Sequence, residues 1–229
     1  LRRRRDACHI ATEIAPLRDQ GHIYGCRRLW ESRRGTGGKI VIIVSSLRQV
    51  EAVMARYAPV RSLSLLAPWQ TIIFETDRMP RDRVVLAFND VAASGPGLVA
   101  PDEATVAAIV EFGRRCRSND VSLVHCWMGV SRSPAAAYII ACERAPGEER
   151  AIAEDLRRRS PTAAPNRLLV ALADDYLARG GRMVDAVDGI GRGCAFDGDP
   201  PPLFLPLDGS LGGGAVPVVA KSRGSPRPA

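Results

Sequence analysis

The run Val121-Ser122-Leu123-Val124-His125-Cys126-Trp127-Met128-Gly129-Val130-Ser131-Arg132-Ser133-Pro134 places a thiol and a guanidinium at the two ends of one short loop. Val121–Val124 reads as a strand ending at His125, and Pro134, a residue favoured in a first helical turn, opens a helix. A loop closing onto a helix N-terminus aims backbone N–H groups at one point, with the positive end of the helix dipole behind them. That geometry binds a tetrahedral oxyanion. The thiolate form of a cysteine is the nucleophile, and a helix N-terminus or a neighbouring cation favours it. Arg132 offers a planar fork that can meet two phosphate oxygens at once. One loop thus supplies nucleophile, cradle and charge clamp. The chemistry asks for no metal ion and no cofactor, because backbone dipoles and Arg132 take the role of Mg²⁺.

Such a loop needs a sheet to hold it. Ile40-Val41-Ile42-Ile43-Val44 is a β-branched run that predicts a buried strand. Ser46 with Gln49 forms a capping box, opening a helix with Leu47, Val50, Val53, Met54 and Tyr57 on one face. Further strands are expected at Arg61–Leu66, Thr71–Phe74 and Arg83–Phe88. Helices are expected from Pro101-Asp102 to Arg117, then at Pro134–Arg144, Glu148–Arg159, Asn166–Arg179 and Arg182–Ile190. Strands alternating with helices, followed by a run of helices, predict an α/β fold. Its central, mainly parallel sheet of four to five strands is covered by helices on both faces, with the phosphate-binding loop between a strand and a helix. Residues 1–38 show no sustained period and read as a flexible basic lead-in. Residues 39–191 form the folded domain, and 192–229, rich in Gly and Pro, read as a disordered tail.

His125-Cys126-x-x-Gly129-x-x-Arg132-Ser133 resembles the HCx5R active-site motif of cysteine-dependent protein tyrosine phosphatases, the dual-specificity branch included. Residues 40–191 resemble small bacterial tyrosine-phosphatase-like proteins; the lead-in and tail are not covered. One departure is Ala136, where that family usually carries a bulky residue. The resemblance implies a phosphatase-like fold and a role for each position. Cys126 would attack phosphorus and form a cysteinyl-phosphate, and Arg132 would hold the equatorial oxygens. Ser133 would hydrogen-bond the sulfur and help it leave. Trp127, Met128, Gly129, Val130 and Ser131 would line the phosphate, and His125 would orient the loop rather than act as a base.

Cleavage of a phosphate ester also needs a proton donor for the leaving oxygen. In that family it is an aspartate on a loop upstream of the cysteine, and Asp90 fits best, thirty-six residues before Cys126. Ala92-Ala93-Ser94-Gly95-Pro96-Gly97 would be the edge of its loop. Asp82 falls on the wrong end of its strand, Asp102 is explained as a helix N-cap, and Asp77 is a weaker rival. Downstream, Pro165-Asn166 resembles a segment that buttresses the phosphate loop in dual-specificity enzymes. Asn166 is therefore a supporting residue, an N-cap, or both.

The expected activity is hydrolysis of phosphotyrosine, and of phosphoserine or phosphothreonine on a dual-specificity reading, in a phosphorylated protein or peptide. The alternatives are a phosphopeptide-binding pseudophosphatase adaptor and a rhodanese-like sulfurtransferase. Loss of the cysteine, arginine or acid would signal the adaptor, and none is lost. Ser133 and Asp90 speak against the sulfurtransferase. Inositol phospholipids and polyphosphorylated RNA ends are disfavoured because residues 127–130 bring no lysine to meet extra phosphates.

The net charge of +7 divides unevenly over the 229 residues. Residues 1–38 carry nine arginines against four acids, whereas residues 39–191 carry nineteen basic and eighteen acidic groups. A charge excess confined to one arm gives no basic groove, so no nucleic-acid partner is expected. No run of about eighteen apolar residues is present, so no membrane span is expected. The basic start lacks the apolar stretch of a signal peptide, and six scattered cysteines without a CxxC pair predict free thiols. A cytoplasmic location follows as the expectation. Cys8-His9 and His22-Cys26 fit no common zinc spacing.

Overall fold

The computed structural model describes residues 40–71 and 79–207. The lead-in expected at 1–38 therefore lies outside the described residues. Strands β1 (Val41–Ser46), β2 (Arg61–Leu66), β3 (Asp82–Ala87), β4 (Val121–Cys126) and β5 (Leu203–Pro206) form one sheet in the order β3-β2-β4-β1-β5. The first four run parallel and β5 is antiparallel to β1. Helices α1 (Val50–Tyr57), α2 (Glu103–Arg115), α3 (Arg132–Arg144), α4 (Glu149–Arg159), α5 (Arg167–Tyr176) and α6 (Arg182–Gly189) surround it. The α/β architecture is the one the alternation of strands and helices predicts.

Alternation along the strands divides the core in two. Ile42, Val44, Leu63, Leu65 and Val124 face a large cluster fed by α2 to α6, while Ile43 and Leu123 face α1 through Val50 and Val53. The β-branched run of β1 is buried on both faces, as a central parallel strand must be. Helix α3 is buried from Arg132 to Cys142, so its alanines are the small residues that let it lie close against the sheet. Helix α1 is preceded by a single 3₁₀ turn, Leu47–Gln49, and Ser46 N–H donates to Gln49 Oε1 at 3.2 Å.

The tail expected from residue 192 does not begin there. Leu203, Leu205 and Leu207 are buried, Leu207 N–H donates to Ile40 C=O at 2.9 Å, and Gln49 Nε2 donates to Pro200 C=O at 2.8 Å. Three leucines at a period of two supply one apolar face, and the open edge of β1 supplies the hydrogen bonds. The domain extends to residue 207, and residues 208–229 lie outside the described residues. The strand expected at Thr71–Phe74 is also displaced. Thr71 closes a helical turn, Pro68–Thr71, and residues 72–74 lie outside the described residues.

Because β1 to β4 run parallel, their carboxyl ends, Ser46, Leu66, Ala87 and Cys126, share one edge of the sheet. In open α/β sheets that edge is where ligands bind.

Candidate active site

Each of the four parallel strands delivers something to that edge. β4 ends on Cys126, and residues 127–131 form the loop that leads into α3 at Arg132. Gly129 makes the fold of this loop possible. Its φ is +74°, and a Cβ there would lie 2.7 Å from Ser46 N and 2.8 Å from the Ser45 carbonyl carbon. Only glycine allows the loop to lie this close to the end of β1. The loop's carbonyls are engaged from outside: Trp127 C=O by Leu47 N–H (3.1 Å), Val130 C=O by Ala164 N–H (2.8 Å) and Ser131 C=O by Asn166 N–H (3.3 Å).

Cys126 Sγ accepts hydrogen bonds from Gly129 N–H at 3.2 Å and from the Ser133 hydroxyl at 3.1 Å. A backbone amide and a hydroxyl thus converge on one buried sulfur. His125 sits one residue back on the same strand and is fully buried, with Nε2 2.8 Å from Ser64 Oγ on β2. Desolvation lowers its pKa to about 3, helped by the charge of Arg83 and opposed by a hydrogen bond with the Cys126 backbone. The imidazole is therefore neutral at ordinary pH, a group that orients rather than a charged one.

The Arg132 side chain is 4% exposed and is held at two of its three nitrogens. Nη1 donates to Phe88 C=O at 3.0 Å and Nη2 to Gln70 Oε1 at 3.4 Å. Nε has no hydrogen-bond partner among the described residues and stands 3.8 Å from Asp90 Oδ2. The buried guanidinium is thus balanced by the Asp90 carboxylate at ion-pair distance, without a hydrogen bond between them. Gln70 comes from the turn after β2 and Phe88 from the residue after β3.

Asp90 follows on the β3 side. Its Oδ1 accepts from Ser131 Oγ at 2.7 Å and from Asn166 Nδ2 at 2.8 Å. Its loop is closed at the neck by Asn89 N–H to Val99 C=O (2.7 Å) and Val99 N–H to Asn89 Oδ1 (2.8 Å). The rival aspartates are elsewhere. Asp82 starts β3 and pairs with Arg61 and Arg115 at the opposite edge. Asp102 caps α2, and its hydrogen bonds with Thr105 lower its pKa. Asp77 lies outside the described residues.

Asn166 performs both tasks open to it in the sequence. Its Oδ1 caps α5 by accepting from Leu169 N–H at 2.9 Å, while Nδ2 reaches Asp90 and, at 3.0 Å, Val91 C=O. Around the mouth, Trp127 and Trp69 meet with ring centroids 5.4 Å apart, and Trp69 and Met128 are exposed.

The structure thus brings together Cys126, Arg132, Ser133, His125, Asp90, Ser131 and Asn166. It adds Gln70, Ser64 and Trp69, which carry no local motif and reach the site only through strand order. Among the described residues, no three His, Cys, Asp or Glu side chains gather as a metal site, and no helix is long and apolar enough to cross a membrane.

No protein-family model matches the sequence, and no curated protein does. Among solved structures, the chain is similar to PTPMT1 in complex with PI(5)P. That match has a TM-score of 0.49 at 10% sequence identity, over 60% of this chain and 90% of the other.

Proposed function

We propose that this chain is a phosphoprotein phosphatase that hydrolyses phosphate monoesters through a cysteinyl-phosphate. The observation that carries the reading is a sulfur bonded by an amide and a hydroxyl at one end of a five-residue loop whose other end is a buried arginine. In the first step the Cys126 thiolate forms the S–P bond as the P–O bond to the leaving group breaks. Asp90 gives its proton to the departing oxygen. Arg132 and the loop amides hold the other three oxygens, where charge develops. In the second step water attacks phosphorus, its proton passes to Asp90, and the S–P bond breaks. The Ser133 hydroxyl then stabilises the returning thiolate.

Phosphotyrosine is the proposed substrate group. The paired rings of Trp69 and Trp127 offer an apolar wall to an aryl ester, and residues 127–131 bring no cation to meet a second phosphate. Phosphoserine and phosphothreonine are the dual-specificity extension. The test is phosphate release from p-nitrophenyl phosphate and from a phosphotyrosine peptide, in chelator, with thiocyanate production measured in parallel. Release of phosphate supports the reading. Peptide binding without release would favour an adaptor, and thiocyanate production a sulfurtransferase.

A further inference from the structure

The general acid must present one particular oxygen to the leaving group, and the surroundings of Asp90 decide which. Oδ1 takes two hydrogen bonds, from Ser131 Oγ (2.7 Å) and Asn166 Nδ2 (2.8 Å). The direction of the second is fixed. Asn166 Oδ1 accepts from Leu169 N–H (2.9 Å), so the other end of the amide is the NH₂ group. Both of its hydrogens are used, one on Asp90 Oδ1 and one on Val91 C=O (3.0 Å). A proton on Oδ1 would point into these donors. Oδ2 takes no hydrogen bond among the described residues: its nearest donor, Arg132 Nε, stands 3.8 Å away, beyond bonding distance, on the side where the phosphate would sit.

We infer that Asn166 and Ser131 are positioning residues that confine the catalytic proton of Asp90 to Oδ2. This rests on the phosphatase reading above. Asn166 is the stronger of the two, because an amide NH₂ can only donate, whereas a hydroxyl can turn and accept. Through one side chain Asn166 therefore couples three parts of the site: the cap of α5, the acid loop at Asp90 and Val91, and, by its backbone N–H on Ser131 C=O, the phosphate loop.

The test is Asn166→Ser, which keeps an oxygen to cap α5 and removes the NH₂ group. Turnover of phenyl phosphate, whose leaving group needs the proton, should fall about tenfold. Turnover of p-nitrophenyl phosphate should fall several-fold less, since its leaving anion is already stable. In an Asp90→Asn background the same change should add no further loss. Ser131→Ala, which leaves the cap of α5 untouched, should show the same split at smaller size. Equal losses on the two esters, or an undiminished loss in the Asp90→Asn background, would overturn the positioning role while leaving the phosphatase reading intact. A parent chain that turns over neither ester would overturn both.

Discussion

Cys126 and Cys142 flank the two ends of α3, and both are buried, at 2% and 0% exposure. Each sulfur has a hydroxyl beside it, Ser133 for Cys126 and Tyr138 for Cys142, but only Cys126 also takes a backbone amide. Cys126 Sγ meets the Gly129 amide N–H and the Ser133 hydroxyl, beside the N-terminal end of the helix. Cys142 lies in the last turns, where burial pushes its thiol pKa up and the nearby Glu149 adds to the rise. Cys116 is pushed up by burial as well. At both sites desolvation outweighs the hydroxyl hydrogen bond each thiol makes, to Tyr138 for Cys142 and to Ser122 for Cys116. On the proposed reading, the same helix has a chemical end and a packing end.

Replacing each cysteine by serine is the sharpest way to break that comparison. Cys126→Ser should cost at least about 10⁴-fold in turnover of p-nitrophenyl phosphate, because a hydroxyl is a far weaker nucleophile at neutral pH. Binding of a phosphotyrosine peptide should survive, since the cradle is kept. Cys142→Ser should instead lower the melting temperature and leave turnover within about threefold of the parent. Comparable losses of activity from the two would erase the distinction. Arg132→Lys comes next, at about 10³-fold, because a point charge cannot keep Phe88 and Gln70 and still present a planar fork to phosphate. Activity near that of the parent would place Arg132 outside the site.

Asp90→Asn should slow phenyl phosphate by about 10²-fold and p-nitrophenyl phosphate far less. An equal loss on both would make Asp90 a structural partner of Ser131 and Asn166. His125 gives the smallest effect and concerns stability. Its pKa is about 3 in the folded chain against an ordinary 6.5, so between those values the unfolded chain binds a proton that the folded chain refuses. The contribution is fully present above pH 6.5 and is lost as pH falls, by about 2 kcal/mol between pH 7 and 5. Urea unfolding of the parent and of His125→Gln at the two pH values measures it. A loss on acidification as steep in the variant as in the parent would mean that His125 is not the group responsible.

What could be read from the sequence follows the reach of the interactions. The loop from Cys126 to Ser133 is contiguous, so its strand, glycine, arginine and helix start are legible together, and Asp90 and Asn166 stand beside recognisable turn and cap signals. Gln70 and Ser64 were not legible. Each is an ordinary polar residue until the order β3-β2-β4-β1 sets β2 against β4, with Ser64 opposite His125. β5 was hidden for another reason. Its leucines alternate as a strand requires, but Pro206 and the prolines before Leu203 mark the segment as irregular, and only an edge position tolerates them. Helix α3 shows the converse. Its all-round burial leaves little amphipathic period, yet the loop that precedes it announces where it starts.

The proposed reaction passes the phosphoryl group through Cys126. The most direct measurement is an acid quench of the Asp90→Asn chain during turnover of p-nitrophenyl phosphate, followed by peptide mapping by mass spectrometry. One phosphoryl group is expected on the peptide that contains Cys126, absent when Cys126→Ser is added. Phosphate release that continues without any phosphoryl group on Cys126, or with one on another residue, would contradict it.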